Sequence, residues 1–192
     1  MRSAWCAMLL ALVSACRATS EAPPGRETAG CSDAEASVEP ALVAFLSKAR
    51  AVHLEVDLAE SSGELERAAR LLDDLAHAPA PGGEHPSPEV REVLADTLAR
   101  LADLESQRSR YDVARAAVER GLTLAVERTH FRGRLYEVLG ALEKRNFEEL
   151  RARGDESGAL AAKGRATAAL KAAVAIQEDV IQRALGSSKP AR

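Results

Sequence analysis

No proline interrupts the chain between Pro88 and Pro190, and this gap restricts the fold more than any other feature of the 192-residue sequence. Inside a helix a proline removes a hydrogen bond and pushes against the preceding turn, so a long stretch without one leaves long helices open. The residues that fill the gap favour helices. Ala is the commonest, aromatics make up only 3% of the chain, and Ile is confined to Ile176 and Ile181. Strands draw on β-branched and aromatic side chains, so an all-β fold is excluded and the expected class is all-α.

Apolar spacing supports that class. After Ser87-Pro88-Glu89, an N-cap followed by a first-turn proline and an early acid, apolar residues fall at Val90, Leu94, Leu98, Leu101 and Leu104, with the helical period of about 3.6. Beyond the polar break Gln107-Arg108-Ser109-Arg110, a second stripe runs Tyr111, Ala114, Val118, Leu122 and Ala125. A third takes Phe131, Leu135, Val138, Leu139 and Leu142 and continues through Phe147 to Leu150. Gly154-Asp155 ends it, and a last Ala-rich helix carries Leu160, Leu170, Val174, Ile181 and Leu185 as its stripe. Upstream, Ala41 to about Glu60 forms one amphipathic helix, and the Ser61-Ser62-Gly63 turn leads into another that ends before Pro79. Six helices in three antiparallel hairpins are expected, in a body at 37–186 with a short disordered tail at 187–192.

The N-terminus reads as an address. Arg2 precedes a nearly apolar run from Ala4 to Val13, too short to span a bilayer, which takes roughly 20 apolar residues. The segment Val13-Ser14-Ala15-Cys16 resembles the lipobox of bacterial lipoproteins. That resemblance implies a signal peptide at 1–15, cleavage before Cys16, and acyl chains on Cys16 that anchor a body lying outside the bilayer. Arg17, where an Asp would signal inner-membrane retention, favours the outer membrane, with the body facing the periplasm or the cell surface. Residues 16–36 then form a disordered tether, rich in Ala, Gly, Pro, Ser and Thr without an apolar period. Cys31 would be its free thiol, available for a disulfide between chains.

Two of the hairpins share a pattern. Gly63-x-Leu65-x-x-Ala68-x-x-x-Leu72-x-x-Leu75 aligns with Tyr111-x-x-Ala114-x-x-x-Val118-x-x-Gly121-Leu122, and Tyr136-x-x-Leu139-Gly140 precedes a looser counterpart at Ala159 to Ala166. These segments resemble tetratricopeptide repeats, in which a small residue lets two helices approach closely. The markers Ala68, Ala114 and Ala159 recur about every 45 residues against about 34 in the family. The loop Ala80 to Pro88 accounts for the first excess, and extra turns in the fifth and sixth helices are expected to account for the second. The resemblance implies a short solenoid of about three hairpins; the alternative is a plain six-helix bundle.

The chemistry-bearing motifs are sparse. Neither G-x-x-x-x-G-K-[ST] nor G-x-G-x-x-G occurs, and no nucleophile elbow or Ser-x-x-Lys is present, so no cofactor is expected and the chain is read as non-enzymatic. His53 and Asp57 share a helix face, as do Asp73 and His77, but their levels along the first hairpin differ by about 9 Å, so no metal site is expected.

Charge is asymmetric. Asp33 to Ser106 holds 6 basic and 16 acidic residues, and Gln107 to Lys171 holds 14 basic and 9 acidic. With a net charge of -3, nucleic acid is not an expected partner. Arg128, His130, Arg132 and Arg134 gather at one interhelical corner. In the tetratricopeptide family the first helix of each repeat lines a groove that binds segments of other proteins. The resemblance places Arg50, His53, Asp57, Glu60, Asp96, Ala99, Asp103, Arg134, Glu137 and Lys144 in such a groove, mostly acidic and suited to a basic segment. The expected function is an envelope lipoprotein that serves as an interaction scaffold or assembly factor for another envelope protein. The alternative is a structural lipoprotein that self-associates, acidic half to basic half or through Cys31.

Overall fold

A computed structural model describes residues 39–187, and these are helical apart from their connecting turns and loops. The helices are α1 (Pro40–Ser61), α2 (Leu65–His77), α3 (Pro88–Gln107), α4 (Tyr111–Leu124), α5 (His130–Ala152) and α6 (Glu156–Ser187). The lipobox at Cys16, the tether with Cys31 and residues 188–192 lie outside the described residues. Pairing is α1 with α2, α3 with α4 and α5 with α6, and successive hairpins meet through α2 with α3 and α4 with α5. The first helices also touch one another, α1 with α3 and α3 with α5.

One turn is used three times. Ser62-Gly63-Glu64, Arg108-Ser109-Arg110 and Arg153-Gly154-Asp155 each place their middle residue in the left-handed region, at φ 74°, 58° and 79°. In each, the next amide donates back across the end of the first helix: Glu64 to the Ala59 carbonyl (2.8 Å), Arg110 to Glu105 (2.9 Å), Asp155 to Leu150 (3.0 Å). This satisfies carbonyls that a helix end leaves open. Glycine takes the left-handed conformation without strain at two of these positions; Ser109 takes it against its Cβ. Five residues past each middle residue sit Ala68, Ala114 and Ala159, all buried at the hairpin contact.

The excess period has a partly different origin from the one expected. The Ala80 to Pro88 loop is present, but α1, α3 and α5 are themselves long, at 22, 20 and 23 residues. A repeat of about 34 residues leaves room for much shorter helices. In the last hairpin the added turns fall mostly in α6, which has 32 residues against 13 in α2 and 14 in α4.

The core follows the stripes through the first five helices. Val56, Leu72, Leu98, Leu104, Val118, Leu135 and Leu142 are at most 1% exposed, and Phe45, Val90 and Leu94 form a smaller cluster at the other end of α1 and α3. In α6 the expected stripe is wrong. Leu160, Leu170, Val174, Ile181 and Leu185 are all exposed, while Ala159, Ala162, Ala166, Ala169, Ala173 and Ile176 are buried, alternating three and four residues apart. The reason is on the facing helix. A Cβ on Gly140 would stand 2.6 Å from the Leu170 side chain, and one on Gly133 would stand 2.8 Å from Gln177, so α5 comes close enough that small residues fill the seam.

Candidate interaction face

The neighbouring first helices α1, α3 and α5 carry all ten residues expected in a groove, and an arginine ladder stitches them together. From α3, Arg100 reaches Asp57 and, at 2.9 Å, Glu60, both on α1. From α5, Arg134 meets Asp96 on α3 at 3.0 Å, and Arg145 meets Asp103 at 2.7 Å and the Ser106 hydroxyl at 2.6 Å. In every rung the cation belongs to the later helix and the acid to the earlier one. The acids are still solvated: Asp57, Asp96 and Asp103 keep 58%, 37% and 38% of their side-chain surface. Such pairs are worth about 0–1 kcal/mol each.

His53 sits at the head of the ladder. Its Nε2 pairs with the Thr97 hydroxyl at 3.1 Å, and that hydroxyl donates to the Val93 carbonyl at 2.8 Å. Nε2 is therefore the donor, which leaves Nδ1 to accept from Arg100 at 3.3 Å. Burial lowers the His53 pKa; Arg100 adds to the effect, and Asp96 and Asp57 oppose it. The ring is held neutral as a structural link between α1 and α3. Of the other expected groove residues, Arg50 and Glu137 are exposed, Ala99 is buried in the core, and exposed Lys144 stands 4.0 Å from Glu148. His77 has Nδ1 2.8 Å from the Asp73 carbonyl of its own helix and Nε2 2.9 Å from the Arg120 guanidinium of α4, and shares no partner with His53.

The basic corner is brought together and mostly consumed by the fold. Arg132 donates to the Leu122 and Ala125 carbonyls at 3.2 and 2.6 Å, closing the end of α4, and its guanidinium lies 5.6 Å from the Tyr136 ring centre. Arg128 pairs with Asp179 at 3.0 Å and donates to the Ala175 carbonyl. His130 lies edge-on to Phe131. Only part of the positive potential expected from the sequence remains available to a partner.

Between α4, α5 and α6 lies a group that the sequence reading did not single out. Glu143 is fully buried; it accepts from Arg115 Nε at 2.6 Å and from Arg165 through two bonds of 2.9 Å. Burial alone would raise its pKa, but hydrogen bonds from Arg165 and Arg115 outweigh burial and hold the carboxyl below the usual range. Arg115 also pairs with Asp112 at 2.6 Å. Beside the triad, Val118, Leu122, Tyr136 and Leu139 line an apolar cleft. A carboxylate kept ionised and saturated with donors makes a clamp between three helices and takes up no proton near neutral pH. The available signal was a Glu next to Leu142 on a stripe that continues to Asn146, itself buried.

Among the described residues no group of three His, Cys, Asp or Glu side chains is placed to hold a metal ion, and no helix is long and apolar enough to cross a membrane. Neither a family model, nor a curated protein, nor a solved structure matches the chain.

Proposed function

We propose that the chain is a lipid-anchored protein of the bacterial envelope whose body is a short tetratricopeptide-like solenoid that holds a partner protein and catalyses nothing. The observation that supports this reading is the order of the helix contacts. Each helix meets its neighbours in the chain, the first helices meet in a row, and among the described residues no helix returns from α5 or α6 to α1 or α2. Quasi-linear stacking of this kind suits repeat proteins, whereas a closed bundle would bring its last helix back to its first. The face of α1, α3 and α5 is the one a partner would use. A basic segment would compete there with Arg100, Arg134 and Arg145 for carboxylates that water already reaches, so binding should weaken as salt rises.

Photo-crosslinkers placed at Arg50, Glu137 and Lys144, which the ladder does not use, test the face directly in cells. One partner captured from all three positions, and not from Arg67 on α2, is the expected result; equal capture from Arg67 would remove the groove. The anchor has its own test. Labelled palmitate should be incorporated into the wild-type chain and not into Cys16→Ala.

A further inference from the structure

We propose that the outward stripe of α6 is the interface for a second copy of the same chain, with the two α6 helices packed antiparallel about a two-fold axis at Val174. The stripe is made of large apolar side chains that the fold leaves in water: Leu160 is 71% exposed, Val174 57%, Ile181 54% and Leu185 65%. A last helix with an apolar outer side is unusual for a stacked-hairpin protein, where terminal elements turn a polar side to solvent. Yet the core-facing seam of α6 is already complete, so these side chains are surplus to the fold of one chain.

The occupant is indicated by what flanks Val174. One helical turn to either side lie Lys171 and Glu178, both exposed, and neither has an ion partner among the described residues. Two turns away lie Thr167 and Ile181, and about three turns away Gly164 and Leu185. In an antiparallel pair centred on Val174, Lys171 therefore faces Glu178 of the other copy, Thr167 faces Ile181, and Gly164 faces Leu185. Two ion pairs form by symmetry, Val174 meets its own copy, and Ile181 and Leu185 each meet a smaller side chain. A two-fold interface requires a surface complementary to itself, and this register supplies it.

Gly164 is an independent indication. It lies inside α6, and a Cβ there would meet nothing within 4 Å, so close packing within the chain gives no reason for a residue that disfavours helix. A leucine from a second copy gives one. The register differs from a contact between acidic and basic halves, and it does not depend on the α1, α3 and α5 face.

Sedimentation of the full-length chain over a range of concentrations tests the proposal, with Cys6→Ser and Cys31→Ser present to remove disulfides and Cys16→Ser to remove lipid-driven association. The expected result is a dimer in the micromolar range. Lys171→Glu alone and Glu178→Lys alone should each weaken it at least tenfold, and the two together should restore it to within about threefold of the parent. Recovery in the double variant separates a lost interface from a lost fold. Val174→Cys should oxidise to a covalent dimer, while Ala161→Cys, exposed but off the stripe, should not. A monomer at 100 µM would overturn the proposal and leave the stripe to a different protein, as would a dimer indifferent to both charge reversals.

Discussion

The first and last hairpins close the same kind of contact with opposite materials. Between α1 and α2, a 13-residue second helix packs with Leu72 and Leu75 alongside Ala68, Ala69 and Ala76. Between α5 and α6, a 32-residue helix buries a row of alanines, Leu170 and Gln177 reach Gly140 and Gly133, and a charged triad lies close by. Leucine packing stabilises by the apolar area each side chain removes from water, about 1.5–3 kcal/mol per residue. Alanine removes less, so the last hairpin relies on length, close approach and the Glu143 clamp. The two should therefore fail in opposite ways, the first when side chains shrink and the last when they grow.

The largest effect is expected from Leu72→Ala, which empties a fully buried site and should cost about 3 kcal/mol in denaturant unfolding. A loss under 1 kcal/mol would break the comparison at its first term. Glu143→Ala should cost nearly as much, roughly 2–3 kcal/mol; the lower end of the range for buried pairs applies because Arg115 and Arg165 keep 26% and 48% of their side-chain surface and can turn to water. Ala162→Leu grows a side chain at a position with no exposure and should cost about 2 kcal/mol, although leucine is the larger hydrophobe. Stability unchanged by that substitution would mean that the α5 and α6 seam is loose.

Acid should separate the regions as well. His53 has a lowered folded-state pKa, so its contribution is complete above the usual 6.5 and declines as pH falls below it. Glu143 is lowered too, so its contribution is complete above the usual 4.5 and is lost at still lower pH. Stability measured against pH should therefore drop in two stages, with the upper one absent in His53→Gln. The smallest effect is a gain. Ser109→Gly removes the strain of a left-handed serine and should raise stability by about 1 kcal/mol, bringing the middle turn into line with Gly63 and Gly154.

Much of this architecture can be read from residue spacing. The proline gap, the breaks near Gly63, Ser109 and Gly154, and the markers Ala68, Ala114 and Ala159 set six helices and their pairing, because each is a local signal. The α6 stripe could not be read the same way. Leu160, Val174 and Ile181 have helical spacing, but which side of a helix is buried depends on what faces it, and the decisive residues are Gly133 and Gly140 on another helix. The candidate face was half legible for the same reason. Register along α1, α3 and α5 placed the acids together, while Arg100 and Arg145, which answer them, depend on how far one helix is shifted along the next. Glu143 drew no notice because its partners lie 28 and 22 residues away.

The rungs of the arginine ladder all point one way along the chain, so the acids of each hairpin are answered by the hairpin that follows it. A ribosome releases the anions first and the cations that answer them later, so each hairpin waits, charged and incompletely matched, for its successor. Exchanging the first two hairpins in the gene would instead set Asp96 and Asp103 before α1, a helix that supplies acids and no arginine to the ladder, and the match now made by Arg134 and Arg145 would be lost. The lopsided charge of the sequence is thus a record of neighbour order, written into the polymer before any partner is met.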